Sequence, residues 1–178
     1  MTDIDAGRSE GSGPGSEVRD RNGARAADAG GTGSGPGGAV GASAGALDLR
    51  ELYPDAPEET VIDKLGIELT EVSPERTAGR MPVEGNTQPV GLLHGGSSAV
   101  LAETLASVAA QAHAGPDRQA VGIDLNATHH RGVRSGTVTG VATAIHLGRT
   151  TASYEIVITD DRGKRVCTAR LTCMILKG

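Results

Sequence analysis

Apolar and polar residues alternate along six stretches of this chain, and one longer stretch between them is apolar at nearly every position. A period of two is typical of half-buried strands, and it predicts strands at residues 67–72, 77–83, 120–130, 136–147, 150–159 and 165–176. Residues 97–113 are rich in alanine, begin with two serines suited to helix capping, and end shortly before Gly115 and Pro116. They predict one long helix that is buried nearly all round.

A shorter helix is predicted at residues 57–65, with a proline at its start and Gly66 directly after its end. Turns that contain glycine, serine or aspartate separate the later strands, which favours an antiparallel meander. Pro82 favours a sheet edge for the end of the second strand. Together these elements predict an α+β fold in which an antiparallel sheet of about six strands wraps around one long central helix.

Composition divides the chain into two parts. Residues 1–45 contain mostly glycine, serine, alanine and scattered charge, with almost nothing to bury, and they predict a disordered tail. Residues 46–178 then form the folded domain. Phe and Trp are absent from the 178 residues, and Tyr53 and Tyr154 supply the only large aromatic rings. The core must therefore be built from Val, Ile, Leu and Ala.

Charge and hydropathy argue against several classes of partner. The net charge of −5 gives no electrostatic case for nucleic acid or anionic membranes, and rings for stacking on single strands are scarce. No apolar run approaches the ~20 residues of a membrane span, and the first residues do not have a signal-peptide pattern. These features favour a cytoplasmic protein. Cys167 and Cys173 share one face of a predicted strand, about 20 Å apart, so reduced thiols are expected.

The junction between the central loop and the long helix carries the clearest candidate chemistry. Gln88, His94, Gly95 and Gly96 precede the helix, and glycines there permit close approach of a ligand and leave backbone N–H groups free. A helix N-terminus offers unsatisfied donors and partial positive charge, which suits a developing oxyanion. The alternative is that the two glycines only make a tight turn and that His94 is a hydrogen-bonded structural residue.

Glu103 favours the catalytic interpretation, because it lies in the middle of the apolar helix. A carboxylate buried without a partner costs several kcal/mol, so such residues usually have a function, and lost hydration makes the carboxylate a better nucleophile or base. Ser107 lies one turn further and could hold a water beside it. The alternative is that Glu103 lies on an exposed seam and only solvates the helix.

Several cationic positions could meet phosphate groups or could simply solvate strand ends and turns. They are His129 and Arg131 at the end of one strand, and His146, Gly148, Arg149 and Thr150 at a later turn. The histidines and cysteines follow no metal-ligand spacing, so no metal is expected. The Gly-x-Ser-x-Gly pattern of serine hydrolases is also missing.

The stretch from Gln88 through His94, Gly95 and Glu103 to Ser107, followed by residues 121–129 and 146–148, resembles the hotdog-fold acyl-CoA thioesterases. It is most similar to the phenylacetate-pathway and Glu-dependent 4-hydroxybenzoyl-CoA branch, and within it to the 1,4-dihydroxy-2-naphthoyl-CoA hydrolases of menaquinone synthesis. The resemblance covers about residues 65–176. It implies an enzyme that splits acyl-CoA into free acid and coenzyme A, with no cofactor beyond that substrate. The resemblance favours an aromatic acyl group, and the sequence is equally compatible with medium-chain acyl-CoA.

The resemblance also implies a role for each site residue. Glu103 is the nucleophile or general base, the Gly95 N–H binds the thioester carbonyl oxygen, Gln88 and His94 orient or polarise it, and Ser107 positions water. These groups converge across a dimer interface, and dimers commonly pair into tetramers. Coenzyme A is expected along Gly96, His129, Arg131, His146, Gly148, Arg149 and Thr150.

Two other functions remain open from the sequence. A hotdog hydratase or dehydratase uses a histidine paired with an acid, which His94 and Glu103 could mimic. A non-catalytic module that binds acyl thioesters would keep its ligand when Glu103 is changed.

Overall fold

A computed structural model describes Leu49 and residues 52–177 of the chain, so the predicted disordered tail at residues 1–45 lies outside the described residues. Two helices and six strands make up the described part, and no helix in it is long and apolar enough to cross a membrane. The elements are α1 (Val61–Leu65), β1 (Glu68–Val72), β2 (Arg76–Pro82), α2 (Gly95–Ala114), β3 (Arg118–His129), β4 (Thr137–Leu147), β5 (Thr151–Asp160) and β6 (Arg165–Lys177).

The six strands form one antiparallel sheet in the order β1-β2-β4-β5-β6-β3, which confirms the predicted α+β architecture. The predicted meander holds only for β4, β5 and β6. The chain leaves β2, runs through α2, and returns as β3 at the opposite edge of the sheet, beside β6. Strands β1 and β3 are therefore the two edges, and β3 offers one unpaired side along 12 residues.

Helix α2 lies against all six strands, and its buried residues join the inner face of the sheet in one core. Gly79 and Gly140 are partners on β2 and β4, and Leu105 of α2 sits over both. A Cβ at Gly140 would lie 2.6 Å from Leu105 Cδ1, and one at Gly79 would lie 2.9 Å from Leu105 Cδ2. These two glycines therefore allow the helix to pack closely on the sheet.

Three local predictions need correction. Pro82 ends an inner strand, not an edge strand; it is tolerated there because β1 pairs with β2 only as far as Arg80. Helix α1 begins at Val61, where Thr60 and Asp63 form a capping box. Helix α2 is capped by His94 rather than by a serine.

The two cysteines are free and buried, as the sequence predicts, and both point from β6 into the core.

Candidate active site

The loop before α2 is held in place by Asn86, which is almost fully buried. Its side-chain amide donates to the backbone carbonyls of Leu65 (2.8 Å) and Pro82 (2.9 Å). Its backbone carbonyl accepts from the His94 N–H at 2.8 Å. One side chain thus ties the loop to α1 and β2, while its backbone fixes the first residue of the helix junction. Sequence reasoning missed Asn86, although a lone asparagine between two prolines has the several donors and acceptors that such a position needs.

His94 caps α2 through its side chain, because Nδ1 accepts the Gly96 N–H at 2.8 Å. A nitrogen that accepts carries no proton, so the neutral ring bears its proton on Nε2. Gly96 must lack a side chain here, since a Cβ would lie 2.9 Å from His94 Nδ1. The cap therefore leaves His94 with an Nε2–H donor on an exposed ring.

The Gly95 N–H makes no hydrogen bond to any residue that the structure describes. It is the first amide of the 20-residue helix α2, where the helix dipole adds partial positive charge. The His129 ring lies over Gly95, and a Cβ there would be 3.0 Å from His129 Nε2. Gly95 thus supplies a free amide donor and room for the imidazole.

A cavity of about 450 Å³ opens at this end of α2 and brings together four of the predicted site residues: Gln88, Gly95, His129 and Arg131. Their side chains, where present, form no hydrogen bonds within the described part of the chain, and its three ion pairs all lie elsewhere. Ser98 of α2 also lines this cavity. The site is therefore polar and cationic on one side, and its hydrogen-bond donors have no partners within the described part of the chain.

Glu103 lies two turns further along α2 and is exposed, so the burial expected from the apolar helix is not found in the single chain. Its carboxylate lies beside Gly122 on the edge strand β3, where a Cβ would lie 3.4 Å from Glu103 Oε1. Ile123, beside it at a bulge of β3, is 54% exposed.

Ser107 continues this face of α2, and Cys173 of β6 lies close enough to interact with it. Burial raises the pKa of the Cys173 thiol; a hydrogen bond from the Ser107 side chain opposes that shift, and the charge of Glu103 adds to it. Ser107 follows Glu103 by four residues in α2, so the two side chains lie on the same side of the helix. The thiol stays protonated at neutral pH and acts as a small apolar wall behind the carboxylate.

Glu103 and Gly95 belong to different parts of the single chain. Eight residues of helix separate them, which is about 12 Å along the axis at 1.5 Å per residue. A thioester carbonyl bound at the Gly95 amide is therefore out of reach of the Glu103 carboxylate of the same chain.

The remaining predicted residues lie at the other end of α2. The turn of Gly148, Arg149 and Thr150 joins β4 to β5 and accepts a hydrogen bond at Gly148 O from His113 Nε2 (2.9 Å). His146 packs against that turn, with its Nε2 close to Gly148. Within one chain, this turn is not brought to the cavity that contains His129 and Arg131.

Comparisons with known proteins agree with this architecture. The profile of the thioesterase superfamily matches residues 90–167, which include all of α2, β3, β4 and β5 and the first residues of β6. The proofreading thioesterase EntH of Klebsiella pneumoniae is 48% identical over 120 residues, covering 67% of this chain and 88% of that protein.

Solved structures give the same picture. A mutant of thioesterase PA1618 from Pseudomonas aeruginosa is 43% identical with a TM-score of 0.66, over 74% of this chain and 96% of that chain. Thioesterase HI1161 from Haemophilus influenzae is 36% identical with a TM-score of 0.67, over 75% and 94%. These neighbours confirm the hotdog fold that the sequence predicts.

Proposed function

The chain belongs to the thioesterase superfamily, and we propose that it hydrolyses acyl-coenzyme A thioesters with Glu103 as the reacting carboxylate. The observation that carries this proposal is the free Gly95 N–H at the start of α2. It lies in one cavity with Gln88; His94, the residue before it, does not line that cavity, but its ring carries an Nε2–H donor. Such donors stabilise the oxyanion that forms when a thioester carbonyl is attacked.

The reaction needs a group that attacks the thioester carbonyl or activates water, and we assign this role to Glu103. Its carboxylate either adds to the thioester carbonyl carbon, giving a mixed anhydride that water then cleaves, or takes a proton from an attacking water. Both routes expel the coenzyme A thiolate and end with the free acid. Ser107, one turn on, positions the water.

We propose that the complete site forms between two copies of the chain. Strand β3 has an open edge, and Ile123 is an exposed apolar residue on it. Antiparallel pairing of β3 with a second β3 would turn the two α2 helices in opposite directions. Each Glu103 would then face the N-terminal end of the other helix, closing the gap that separates Glu103 from Gly95 in one chain. Such dimers would pair into tetramers, as the sequence resemblance implies.

Coenzyme A is proposed to enter through the cavity beside His129 and Arg131. Arg131 is exposed and has no acidic partner among the described residues, so its charge is available to a phosphate group. The Gly148-Arg149-Thr150 turn, with His146, would contribute from the other copy. Strand β3 runs from Arg118, at that end of α2, to His129, so antiparallel pairing would bring opposite ends of the two strands together.

An aromatic acyl group is the substrate class that we propose, by the resemblance to 4-hydroxybenzoyl-CoA and 1,4-dihydroxy-2-naphthoyl-CoA hydrolases. A place in menaquinone synthesis is part of the same proposal. A hydratase is disfavoured, because it would need His94 as its proton shuttle, and Nδ1 of that ring is occupied as the cap of α2.

Release of free thiol from a panel of aryl-CoA and aliphatic acyl-CoA esters tests the activity. The wild type should turn over, and Glu103→Gln should lose roughly a thousandfold or more in kcat. The variant should melt at the wild-type temperature, because Glu103 is exposed and makes no ion pair within the described residues. Bound but unhydrolysed esters in the wild type would refute hydrolysis and indicate a binding module.

Mixing two inactive variants tests the shared site. Glu103→Gln and Gly95→Pro damage different halves of each site, so a dimer with one chain of each kind keeps one intact site. Random mixing should restore about one quarter of the wild-type rate. Activity that stays at the level of the separate variants would show that each chain works alone.

A further inference from the structure

The His129 ring lies flat against Gly95 and has no hydrogen-bond partner among the described residues. A Cβ at Gly95 would lie 3.0 Å from His129 Nε2, 3.3 Å from Cδ2 and 3.4 Å from Cε1. A point in the ring plane beyond Nε2 would be much further from the two carbons than from the nitrogen, so the ring presents its face to Gly95. An N–H bond at Nε2 lies in the ring plane and therefore points past Gly95, not at it.

His129 Nε2 is also close to the free amide that carries the proposed function. The Cβ position of Gly95 is about 2.5 Å from the nitrogen of the same residue, so Nε2 is at most about 5.5 Å from that nitrogen. A carbonyl oxygen that accepts from the Gly95 N–H lies about 2.9 Å from the nitrogen. The carbonyl carbon, and the sulfur bonded to it, can therefore lie within hydrogen-bonding distance of Nε2.

The sulfur would lie on the side of the carbonyl that His129 occupies. Arg131 follows two residues later, lines the same cavity, and is the cation proposed above for a phosphate of coenzyme A. Coenzyme A extends from the sulfur and not from the acyl group, so this part of the substrate would run past His129. The predicted contact between His129 and coenzyme A is kept, and it falls on the reacting atom.

The other polar residues that line this cavity are poorer proton donors. His130 is the second histidine, but its Nε2 is bonded to the Thr168 hydroxyl at 2.9 Å. It lies on the opposite face of the strand end from His129, which is the register partner of the buried Cys167. The remaining polar side chains belong to a glutamine, a serine and an arginine, which keep their protons at neutral pH. His129 thus combines a free ring with a side chain of the kind that most often transfers protons in catalysis.

We infer that His129 is a further catalytic residue, which gives the Nε2 proton of its doubly protonated ring to the sulfur of coenzyme A as the thioester bond breaks. The inference rests on the proposed thioesterase function. After Glu103 of the second copy has attacked the carbonyl carbon, the C–S bond breaks and its electron pair stays on sulfur. The proton from His129 joins that sulfur, so coenzyme A leaves as the thiol.

The ring is restored in the second half of the reaction. Water cleaves the mixed anhydride by giving its hydroxyl to the acyl carbon and its remaining proton to His129, which yields the free acid and the Glu103 carboxylate. On the alternative route, in which Glu103 takes a proton from water, that proton passes to His129 after the thiol has left. Both routes consume one water and return each residue to its starting state.

Proton donation matters because an alkyl thiolate is basic. A cysteine thiol has an ordinary pKa of about 8.5, and coenzyme A ends in an alkyl thiol of the same kind, so the departing thiolate takes up a proton at neutral pH. General acids in such a position typically accelerate the step by about 10² to 10⁴. A much more acidic thiol leaves as a stable thiolate and needs no such help.

The test varies the leaving thiol and keeps the acyl group that the wild type hydrolyses fastest. N-acetylcysteamine is an alkyl thiol and 4-nitrothiophenol is a far more acidic one, and neither carries phosphate. His129→Gln should lower kcat/KM by roughly a hundredfold for the esters of coenzyme A and N-acetylcysteamine, and by less than about tenfold for the 4-nitrothiophenol ester. The variant should melt at the wild-type temperature, because the ring has no hydrogen-bond partner among the described residues.

His130→Gln is the matched control, since it changes the neighbouring histidine in the same way. It loses the bond to Thr168 but should keep the wild-type ratio of kcat/KM between the two phosphate-free esters. A loss in His129→Gln that is confined to the coenzyme A ester would make His129 a phosphate ligand. Equal losses for both phosphate-free esters would make it a positioning residue, and either outcome overturns the inference.

Chemical rescue supplies a second measurement that uses acyl-CoA alone. Imidazole added to His129→Gly can occupy the space of the lost ring beside Gly95, so it should restore part of the lost kcat/KM. A folded His129→Gly variant that imidazole does not rescue would count against proton donation. A wild type that hydrolyses no acyl-CoA would instead refute the proposed function, which separates the two failures.

Discussion

The two ends of helix α2 carry similar polar residues and use them differently. At the C-terminal end, Gln111 makes three hydrogen bonds, His113 binds the Gly148 carbonyl, and Arg118 donates to the carbonyls of Ala114 and Arg149. At the N-terminal end, the Gly95 N–H and the His94 Nε2 have no partner within the described residues. The polar groups named at the C-terminal end thus have hydrogen-bond partners, and those named at the N-terminal end do not.

This difference shows that residue type alone does not identify a site. A histidine occurs at both ends of α2. His113 is a structural residue because its Nε2 binds the Gly148 carbonyl, whereas the Nε2 of His94 has no partner among the described residues, which makes His94 a candidate catalytic residue. Unsatisfied donors at a helix N-terminus are costly to keep away from water or ligand. Their grouping beside a cavity is therefore a better indicator of function than the presence of polar residues.

Between the two ends of α2, the largest effect is expected from removing the free donor of the N-terminal end. Gly95→Pro should lower kcat by about 10² to 10³, because proline has no N–H to offer the oxyanion. Proline is accepted at the first position of a helix, so α2 should remain folded. Thiol release and the circular dichroism spectrum would measure the two effects.

Gly95→Ala is the control for that change. Both variants add a Cβ that presses on His129, 3.0 Å away, but alanine keeps the amide proton. The alanine variant should therefore lose much less activity than the proline variant. Equal losses would mean that crowding of His129, and not the missing donor, stops the reaction.

A smaller loss is expected when the His94 ring is removed and its cap is kept. His94→Asn leaves a side-chain oxygen that can accept the Gly96 N–H, since asparagine is a good N-cap. It deletes the Nε2–H donor, so kcat should fall by roughly 10 to 100 while the melting temperature is unchanged. A lower melting temperature with normal kcat per folded molecule would make His94 a structural cap only.

The C-terminal end should respond in stability. Gln111→Ala removes three hydrogen bonds and leaves the Ala120 N–H without its acceptor. We expect the free energy of unfolding to fall by about 2 to 4 kcal/mol, measured by urea denaturation. An unchanged unfolding midpoint would show that water replaces these hydrogen bonds and that this end of α2 contributes less to stability than its hydrogen bonds indicate.

The sequence predicts the elements of this fold well, because each extends over several periods of its pattern. It does not predict that β3 crosses to the far edge of the sheet, since strand order is decided by tertiary packing. The sequence also leaves open whether Glu103 is buried or lies on an exposed seam, because that depends on how β3 packs beside α2. The loop of Gln88 and His94 was found from local signals, whereas its contact with His129 arises only in the folded chain.

The smallest effect should come from the histidine at the saturated end, and it completes the comparison with His94→Asn. His113→Asn loses one hydrogen bond to the Gly148 carbonyl, so the free energy of unfolding should fall by about 1 kcal/mol and kcat should stay at the wild-type value. The same substitution would thus cost activity at one end of α2 and stability at the other. A fall in kcat for His113→Asn would break this division. A rise in KM for acyl-CoA alone would instead support the proposed contact between the Gly148-Arg149-Thr150 turn and coenzyme A, because His113 holds that turn in place.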